Sequence, residues 1–363
     1  MSTVLASTLL LMTVVLVLTA MVMGTRRVLA PERPVTITVN KTLEIEGRTG
    51  EKLLTILKEA KLPIPSACAG AGTCGLCRVT VPADGGEPLP TEAARLTRAE
   101  MREGMRLACQ VVVRGPLTVS VPEAFISAKT WDFRVASTKM LAPLIREIVL
   151  MPPDGSGFMP RPGGFVQVTA PPYALDLNGL EISDAYESKW AEQGWRKLTV
   201  RSSTPVSRAY SLANRPEDQG AVLNVRLAVP PPPATDAPPG IVSSHLFSLK
   251  VGDSIPVSGP FGDFTIRDAS REMVFIGGGV GMAPLRALIH DLLDRGTDSR
   301  ISFWFGARSL SDALYREELN DLAAQNANFD FTLALSDPAA DDDWDGEKGF
   351  IHEVAYRTYL GEH

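Results

Sequence analysis

A multidomain chain of α+β and α/β character is predicted: an N-terminal transmembrane helix, a small α+β domain, an antiparallel β-barrel and an incomplete doubly wound parallel sheet. Three observations predict it. Residues 4–23 form an unbroken apolar run, residues 128–268 read as short β-rich segments interrupted by Pro and Gly, and beyond residue 272 strand and helix alternate. At 363 residues the chain also exceeds the roughly 250–300 at which one hydrophobic core stops growing.

Residues 4–23 contain no charge, no Gly and no Pro. At ~1.5 Å per residue a helix of that length crosses the ~30 Å of a bilayer's hydrocarbon. A cleaved signal peptide is the alternative. Against it, no Lys or Arg precedes the run, the run exceeds the usual ~7–15 apolar residues, and no small-x-small site precedes Arg26. Arg26 and Arg27 follow directly, and such charges mark the cytoplasmic side, so everything after them is expected in the cytoplasm. With no ionisable residue inside it, the span is an anchor (residues 1–27) and not an ion path.

Lys+Arg number 36 against 42 Asp+Glu, a net charge of −6. That balance offers no cationic field for a phosphate backbone, and a nucleic-acid partner is excluded on that ground. The four cysteines are too few for a disulfide scaffold, and three fall within ten residues, a clustering that favours metal ligation in a reducing compartment.

The small α+β domain is assigned to residues 33–127. Strand-like runs at 35–39, 78–81 and 117–121 alternate with helical patterns at 51–60 and 98–103, the second opened by a Thr97/Glu100 capping box. The barrel is assigned to 128–268. The last domain, 269–363, reads strand 273–276, helix 285–293, strand 301–305, helix 312–324 and strand 329–335, a parallel sheet with crossover helices. The proline-rich stretch at 230–239 is a stiff surface loop, and the Asp341-Asp342-Asp343 run a solvated one.

Three motifs carry chemistry. Cys68, Cys74 and Cys77 form C-x5-C-x2-C, and Cys109 follows thirty-two residues after Cys77. Three close sulfurs wrap one side of an iron–sulfur cluster, and Gly70, Gly72 and Gly75 let backbone amides turn toward it. A zinc site is the alternative, but such sites usually pair two C-x2-C knuckles, and no His is nearby. Second, Arg208-Ala209-Tyr210-Ser211 closes a β-rich run, and Gly240-Ile241-Val242-Ser243-Ser244 opens a helix whose N-terminus can seat phosphates; simple helix capping by Ser243 or Ser244 is the competing reading. Third, Gly277-Gly278-Gly279-Val280-Gly281-Met282-Ala283-Pro284 lies between strand and helix, the context a dinucleotide loop needs. Gly306, Arg308 and Asp337 follow at the ends of the next two strands. Asp337-Pro338 can also be an ordinary turn, and no histidine pairs at metal-ligand spacing.

The cysteine segment resembles the plant-type [2Fe–2S] ferredoxins, a β-grasp fold, with one residue more than their usual C-x4-C-x2-C. The Arg208 segment resembles ferredoxin-reductase-like FAD domains. The resemblance implies that Arg208 holds the flavin pyrophosphate, that Tyr210 lies against the isoalloxazine ring and that Ser211 reaches toward N5, with Ala209, Gly240, Ser243 and Ser244 completing the FAD site. Gly277, Gly278, Gly279, Gly281, Pro284, Gly306, Arg308 and Asp337 are implied for NADH.

The order of modules, together with Arg208 to Asn214, Pro239-Gly240 and Gly349-Phe350-Ile351-His352, resembles the F subunits of Na+-translocating NADH:quinone oxidoreductases. That implies hydride transfer from NADH to FAD, single electrons to the [2Fe–2S] cluster through Cys68, Cys74, Cys77 and Cys109, and onward transfer to partner membrane subunits, through which quinone is reached, in the inner membrane. A soluble-type oxygenase reductase would share every redox motif but lack the anchor. An anchored ferredoxin acting as a simple electron carrier is the alternative of another class. The family continues with a Cys-Gly-Pro-Pro strand and a C-terminal aromatic, whereas this sequence stops at His363 after three strands; an incomplete domain that binds NADH poorly is the expectation. Arg308 and Ser309 could equally grip a 2′-phosphate, so the preference for NADH over NADPH rests on the resemblance.

Overall fold

The computed structural model describes residues 2–29, 32–82, 85–230, 237–262, 264–340 and 342–362. The side chains of Arg26 and Arg27, positions 231–236 of the proline-rich stretch, Asp263 and Asp341 lie outside the described residues. The chain divides into two compact units, Met1–Ser127 and Ala128–His363.

The first unit begins with α1 (Ser2–Leu29), of which Ser7–Thr25 is long and apolar enough to cross a membrane. There follow β1 (Pro34–Val39), β2 (Leu43–Arg48), α2 (Leu53–Glu59), β3 (Arg78–Thr80), α3 (Pro90–Ala93), α4 (Arg98–Arg102), β4 (Met105–Leu107), β5 (Leu117–Val119) and α5 (Glu123–Ile126). β1 pairs antiparallel with β2 and parallel with β5, while β3 pairs antiparallel with β4. Alternation explains which faces meet: Ile37 and Val39 point inward and are fully buried, and Leu53, Ile56 and Leu57 form the apolar stripe of α2 that covers them. The Thr97/Glu100 capping box is present, Thr97 Oγ1 accepting from Glu100 N at 3.2 Å and Glu100 Oε2 from Thr97 N at 2.7 Å.

One ion pair organises the segment leading to Cys109. Arg106 and Glu92 are both buried and meet at 2.8 Å. Glu92 also accepts from the N–H groups of Leu89 and Leu107, and Arg106 donates to the carbonyls of Gly85 and Gly86, each at 2.7 Å. Burial alone would raise the Glu92 pKa. The Arg106 contact and the backbone donors overcome that and hold it below the ordinary carboxylate value.

In the second unit the barrel comprises β6 (Thr130–Ala142), β7 (Ile145–Met151), β8 (Phe165–Ala170), β9 (Tyr173–Asp176), α6 (Asp184–Glu192), β10 (Thr199–Ser202), β11 (Val206–Ser211), β12 (Ala221–Arg226), α7 (Ile241–Ser248) and β13 (Ser254–Phe261). Six strands run in the order β11-β8-β13-β6-β7-β12. A bridge between Leu212 and Leu223, with Ala213 N donating to Val222 O at 2.8 Å, joins the two ends of that order. Closure removes the free sheet edges. Phe133, Ile148, Val166, Val168, Leu223 and Phe247 fill the interior. The β9–β10 pair and α6 form a flap on the barrel, pinned by the fully buried Trp190, whose indole N–H donates to Pro143 O at 2.7 Å.

The remainder is β14 (Met273–Gly278), α8 (Ala283–Asp294), β15 (Ile301–Ala307), α9 (Arg316–Gln325), β16 (Phe329–Leu335), β17 (Glu347–Lys348) and α10 (Ile351–Glu362). All four strands are parallel, in the order β14-β15-β16-β17. The sequence announces three strands, and the structure adds a fourth. β17 holds only Glu347 and Lys348, which carry no strand pattern; it exists because they pair with Ala334 and Leu335, and Gly349 N donates to Leu335 O at 2.9 Å.

Glu92→Gln leaves a buried guanidinium without its counter-charge and should cost the first unit about 3 kcal/mol, read as a lower denaturation midpoint. Because the folded pKa of Glu92 is depressed, its contribution is complete above the unfolded value and is lost as pH falls through the folded one. The stability gap between wild type and variant should therefore narrow in acid.

Candidate functional site

The four cysteine thiols fall into two pairs. Cys68 interacts with Cys74, and Cys77 with Cys109; Cys74 also acts electrostatically on Cys77. Ala69, Gly70, Gly72 and Gly75 all have positive φ, which turns successive amides toward the sulfurs. Burial opposes ionisation of Cys68, yet the N–H groups of Cys74, Thr73 and Gly70 bring its thiol down to about 6. Cys109 lies at about 6 as well, through its contact with Cys77 and bonds from Gln110 and the Gly72 N–H, while the Cys77 thiol is pushed up by Cys109 and by burial. Among the described residues no group of three or more His, Cys, Asp or Glu is disposed to hold a single metal ion. Two thiol pairs within a cradle of amide donors fit a two-iron cluster better than one zinc.

β11 carries Arg208-Ala209-Tyr210-Ser211. Opposite residues in the register share a face, so Arg208 and Tyr210 lie with the buried Val168 and Val166, and Ala209 and Ser211 with Gln167 and Phe165. Burial raises the Tyr210 hydroxyl pKa, against the pull of the Arg208 charge. Arg208 donates to Ser207 O at 2.8 Å.

At α7 the two serines separate. Ser243 Oγ is engaged, donating to Gly240 O at 3.1 Å and accepting from Ala228 N at 3.2 Å, whereas Ser244 Oγ is fully buried and faces the Tyr173 hydroxyl. The helix cap is Gly240, so the simple capping reading of these serines does not describe them.

Sequence reasoning passed over two neighbours. Tyr173 donates to Ile241 O and lies 5.0 Å, ring to ring, from His245; burial pushes its hydroxyl up to about 12. Gln167, 4% exposed, holds an Oε1 without a partner opposite Ala209. A Gln between two valines in a strand was the available signal.

The third motif leaves β14 through Gly278, makes a tight turn over Gly279–Met282 and enters α8 with Pro284 in its first turn. Three of the four glycines have a structural reason of their own. A Cβ on Gly277 would stand 2.6 Å from Leu285 Cδ1, one on Gly278 would stand 3.1 Å from Gly306 O, and Gly279 has φ +51; a Cβ on Gly281 meets nothing within 4 Å. Gly306 lets α10 approach, a Cβ there lying 2.8 Å from Ile351 Cγ2. Arg308 and Asp337, expected as separate contacts, bond to each other at 2.9 Å on the exposed strand ends, and Asp337 N donates to Arg308 O at 2.8 Å.

Arg286, a charge on the apolar stripe of α8, was also missed; that misplacement was its signal. It is 3% exposed, forks onto Glu318 with two 2.6 Å bonds, donates to Ala213 O just beyond β11, and lies 4.2 Å from the Tyr315 ring centroid. Tyr315 donates to Glu147, and its hydroxyl oxygen lies 2.7 Å from the side-chain amide of Asn224. The helix after the glycine turn is thereby fastened to the barrel strand that carries Tyr210.

Family models match in the same order: the 2Fe-2S iron-sulfur cluster binding domain over residues 37–114, the oxidoreductase FAD-binding domain over 196–266 and the oxidoreductase NAD-binding domain over 275–362. Among solved structures, the Amycolatopsis cytochrome P450 reductase GcoB aligns with a TM-score of 0.56 at 24% identity, covering 90% of this chain and 87% of that one. The ferredoxin reductase of carbazole 1,9a-dioxygenase aligns at 0.53 and 21%, covering 91% and 87%. Fold and sites thus define an iron–sulfur flavoprotein oxidoreductase with a nicotinamide-nucleotide domain. Curated relatives narrow the class: the Na(+)-translocating NADH-quinone reductase F subunit of Idiomarina loihiensis is 44% identical over 354 residues, 96% of this chain and 87% of the relative, and that of Neisseria meningitidis is 44% identical over 352 residues with the same coverage. The chain belongs to the family of Na(+)-translocating NADH-quinone reductase F subunits.

The two loop glycines should separate packing from binding. Gly277→Ala forces a methyl into Leu285 and should cost about 1–3 kcal/mol. Gly281→Ala, with open space around it, should leave the melting temperature unchanged and weaken NADH about tenfold, or 1.4 kcal/mol; thermal unfolding and NADH titration of both variants read the contrast.

Proposed function

We propose that this chain is the NADH-oxidising subunit of a membrane NADH:quinone reductase that translocates sodium, with residues 33–127, 128–268 and 269–363 acting as its iron–sulfur, flavin and nicotinamide modules. When bound, NADH supplies a hydride, FAD takes up two electrons and can release them singly, and the [2Fe–2S] cluster accepts one. Partner membrane subunits receive the electrons and pass them to quinone.

The residues divide the work. Arg208 holds the flavin pyrophosphate bidentately. Tyr210 presents its ring to the isoalloxazine face and Ser211 a hydroxyl toward N5, while Gly240 and Ser244 seat the phosphates and Ser243 fixes the loop beneath them. Gly277, Gly278, Gly279 and Gly281 bring backbone N–H groups to the dinucleotide pyrophosphate. Arg308 and Asp337, paired with each other, would meet the adenosine ribose, and the preference for NADH over NADPH rests on the family. Cys68, Cys74, Cys77 and Cys109 hold the cluster. α1 anchors the chain through Ser7–Thr25, and Arg26 and Arg27, directly after that span, keep the redox modules in the cytoplasm.

One observation carries the reading: four thiols in two pairs, within amide donors, share a single chain with a barrel bearing Arg208-Ala209-Tyr210-Ser211 and a parallel sheet bearing a glycine turn. The purified chain should show flavin and [2Fe–2S] absorbance, and NADH should bleach both. Cys77→Ala should abolish the cluster's EPR signal and spare the bleaching of flavin. A colourless protein, or one whose flavin NADH leaves oxidised, would end this assignment.

A further inference from the structure

We propose that Gln110 sets the reduction potential of the cluster by donating a hydrogen bond to the sulfur of Cys109. The inference rests on the assignment of Cys109 as a ligand of the [2Fe–2S] centre. Gln110 Nε2 lies 3.3 Å from Cys109 Sγ, 3.3 Å from Cys109 O and 3.0 Å from Gly70 O, and Oε1 lies 3.3 Å from Thr91 Oγ1. The orientation of the amide is fixed by its partners: three acceptors surround the nitrogen, and a hydroxyl faces the oxygen.

The surrounding loop is shaped around this amide. A Cβ on Gly72 would stand 2.9 Å from Gln110 Nε2, and Gly72 has φ +80, so a glycine there is what leaves the amide its place. Gly70 O, the second acceptor, lies in the loop between Cys68 and Cys74 that is one residue longer than the usual plant-type spacing. One side chain thus ties that loop, the Thr91 segment and a ligand sulfur together.

The physical consequence is directional. Reduction adds a negative charge that is shared with the ligand sulfurs, and a donor aimed at one of them stabilises the reduced form more than the oxidised form, raising the potential. Gln110→Leu removes the donor at similar volume, and Gln110→Glu replaces it with an acceptor that carries negative charge. Thr91→Val keeps the donor and removes only the contact to Oε1. Gly72→Ala displaces the amide but also disturbs the Gly72 N–H that bonds to Cys109, so its shift is read only beside that of Gln110→Leu.

The test is an EPR-monitored redox titration of the full-length protein in detergent. Gln110→Leu should lower the reduced-to-oxidised ratio at a fixed potential about tenfold, equivalent to 59 mV for a one-electron couple. Gln110→Glu should shift it further in the same direction, Gly72→Ala should shift it the same way, and Thr91→Val should leave it near wild type. Potentials equal to wild type in cluster-loaded Gln110→Leu and Gly72→Ala would overturn the inference and reduce Gln110 to a structural staple. If Gln110→Leu and Gln110→Glu fail to retain the cluster, Gln110→Asn, which keeps an amide but withdraws it from Sγ, decides: a negative shift supports the proposal and a wild-type potential overturns it. Absence of any [2Fe–2S] signal from wild type would instead overturn the assignment of the ligands.

Discussion

A guanidinium taken out of water is tolerated only when its donors find acceptors, and three arginines obey that constraint at the places where this chain must hold separate segments together. Arg106 gathers Glu92 and the carbonyls of the 85–87 turn. Arg146 donates to the carbonyls of Phe247 and Glu181, joining α7 and the β9–β10 flap to the barrel, and burial lowers its pKa. Arg286 links α8, α9 and the end of β11. Each satisfies carbonyls of loops or helix ends, so replacing one strands several polar groups at once.

The same accounting picks out the buried polar groups that are not satisfied. Most buried polar groups in the barrel have partners, as Arg146 and Trp190 do. Gln167 Oε1 and Asn224 Nδ2 do not, and Gln167 lies opposite Ala209 of the Arg208-Ala209-Tyr210-Ser211 motif. In the first unit the pattern is reversed: the amides around Cys68 and Cys109 already address sulfur. That unit is prepared for a charged inorganic group, whereas the barrel presents separate polar points to a large organic one.

Much of this was legible along the chain. The spacing of Cys68, Cys74 and Cys77 is covalent information, the Thr97/Glu100 capping box is local, and the strand over Phe329–Leu335 follows from a short apolar run between turns. The barrel and parallel sheet were readable because alternation and strand–helix rhythm repeat over tens of residues. β17 was not, since Glu347 and Lys348 become a strand only through a neighbour. The division of labour between Ser243 and Ser244 was equally hidden: adjacent hydroxyls in a helix point about 100° apart, and only the packing of α7 says which one meets Ala228.

By itself, the sequence determined the membrane-length helix, the module order, the four sulfurs and the glycine turn, because each depends on residue type and spacing within a short stretch. The tertiary structure alone decided that Arg308 meets Asp337, that Arg286 reaches Ala213 across 73 positions, and that Gln110 lies against both Gly70 and Cys109. Such contacts are set by the closure of the barrel and by the close approach of backbone at glycine, and distance along a chain does not encode them.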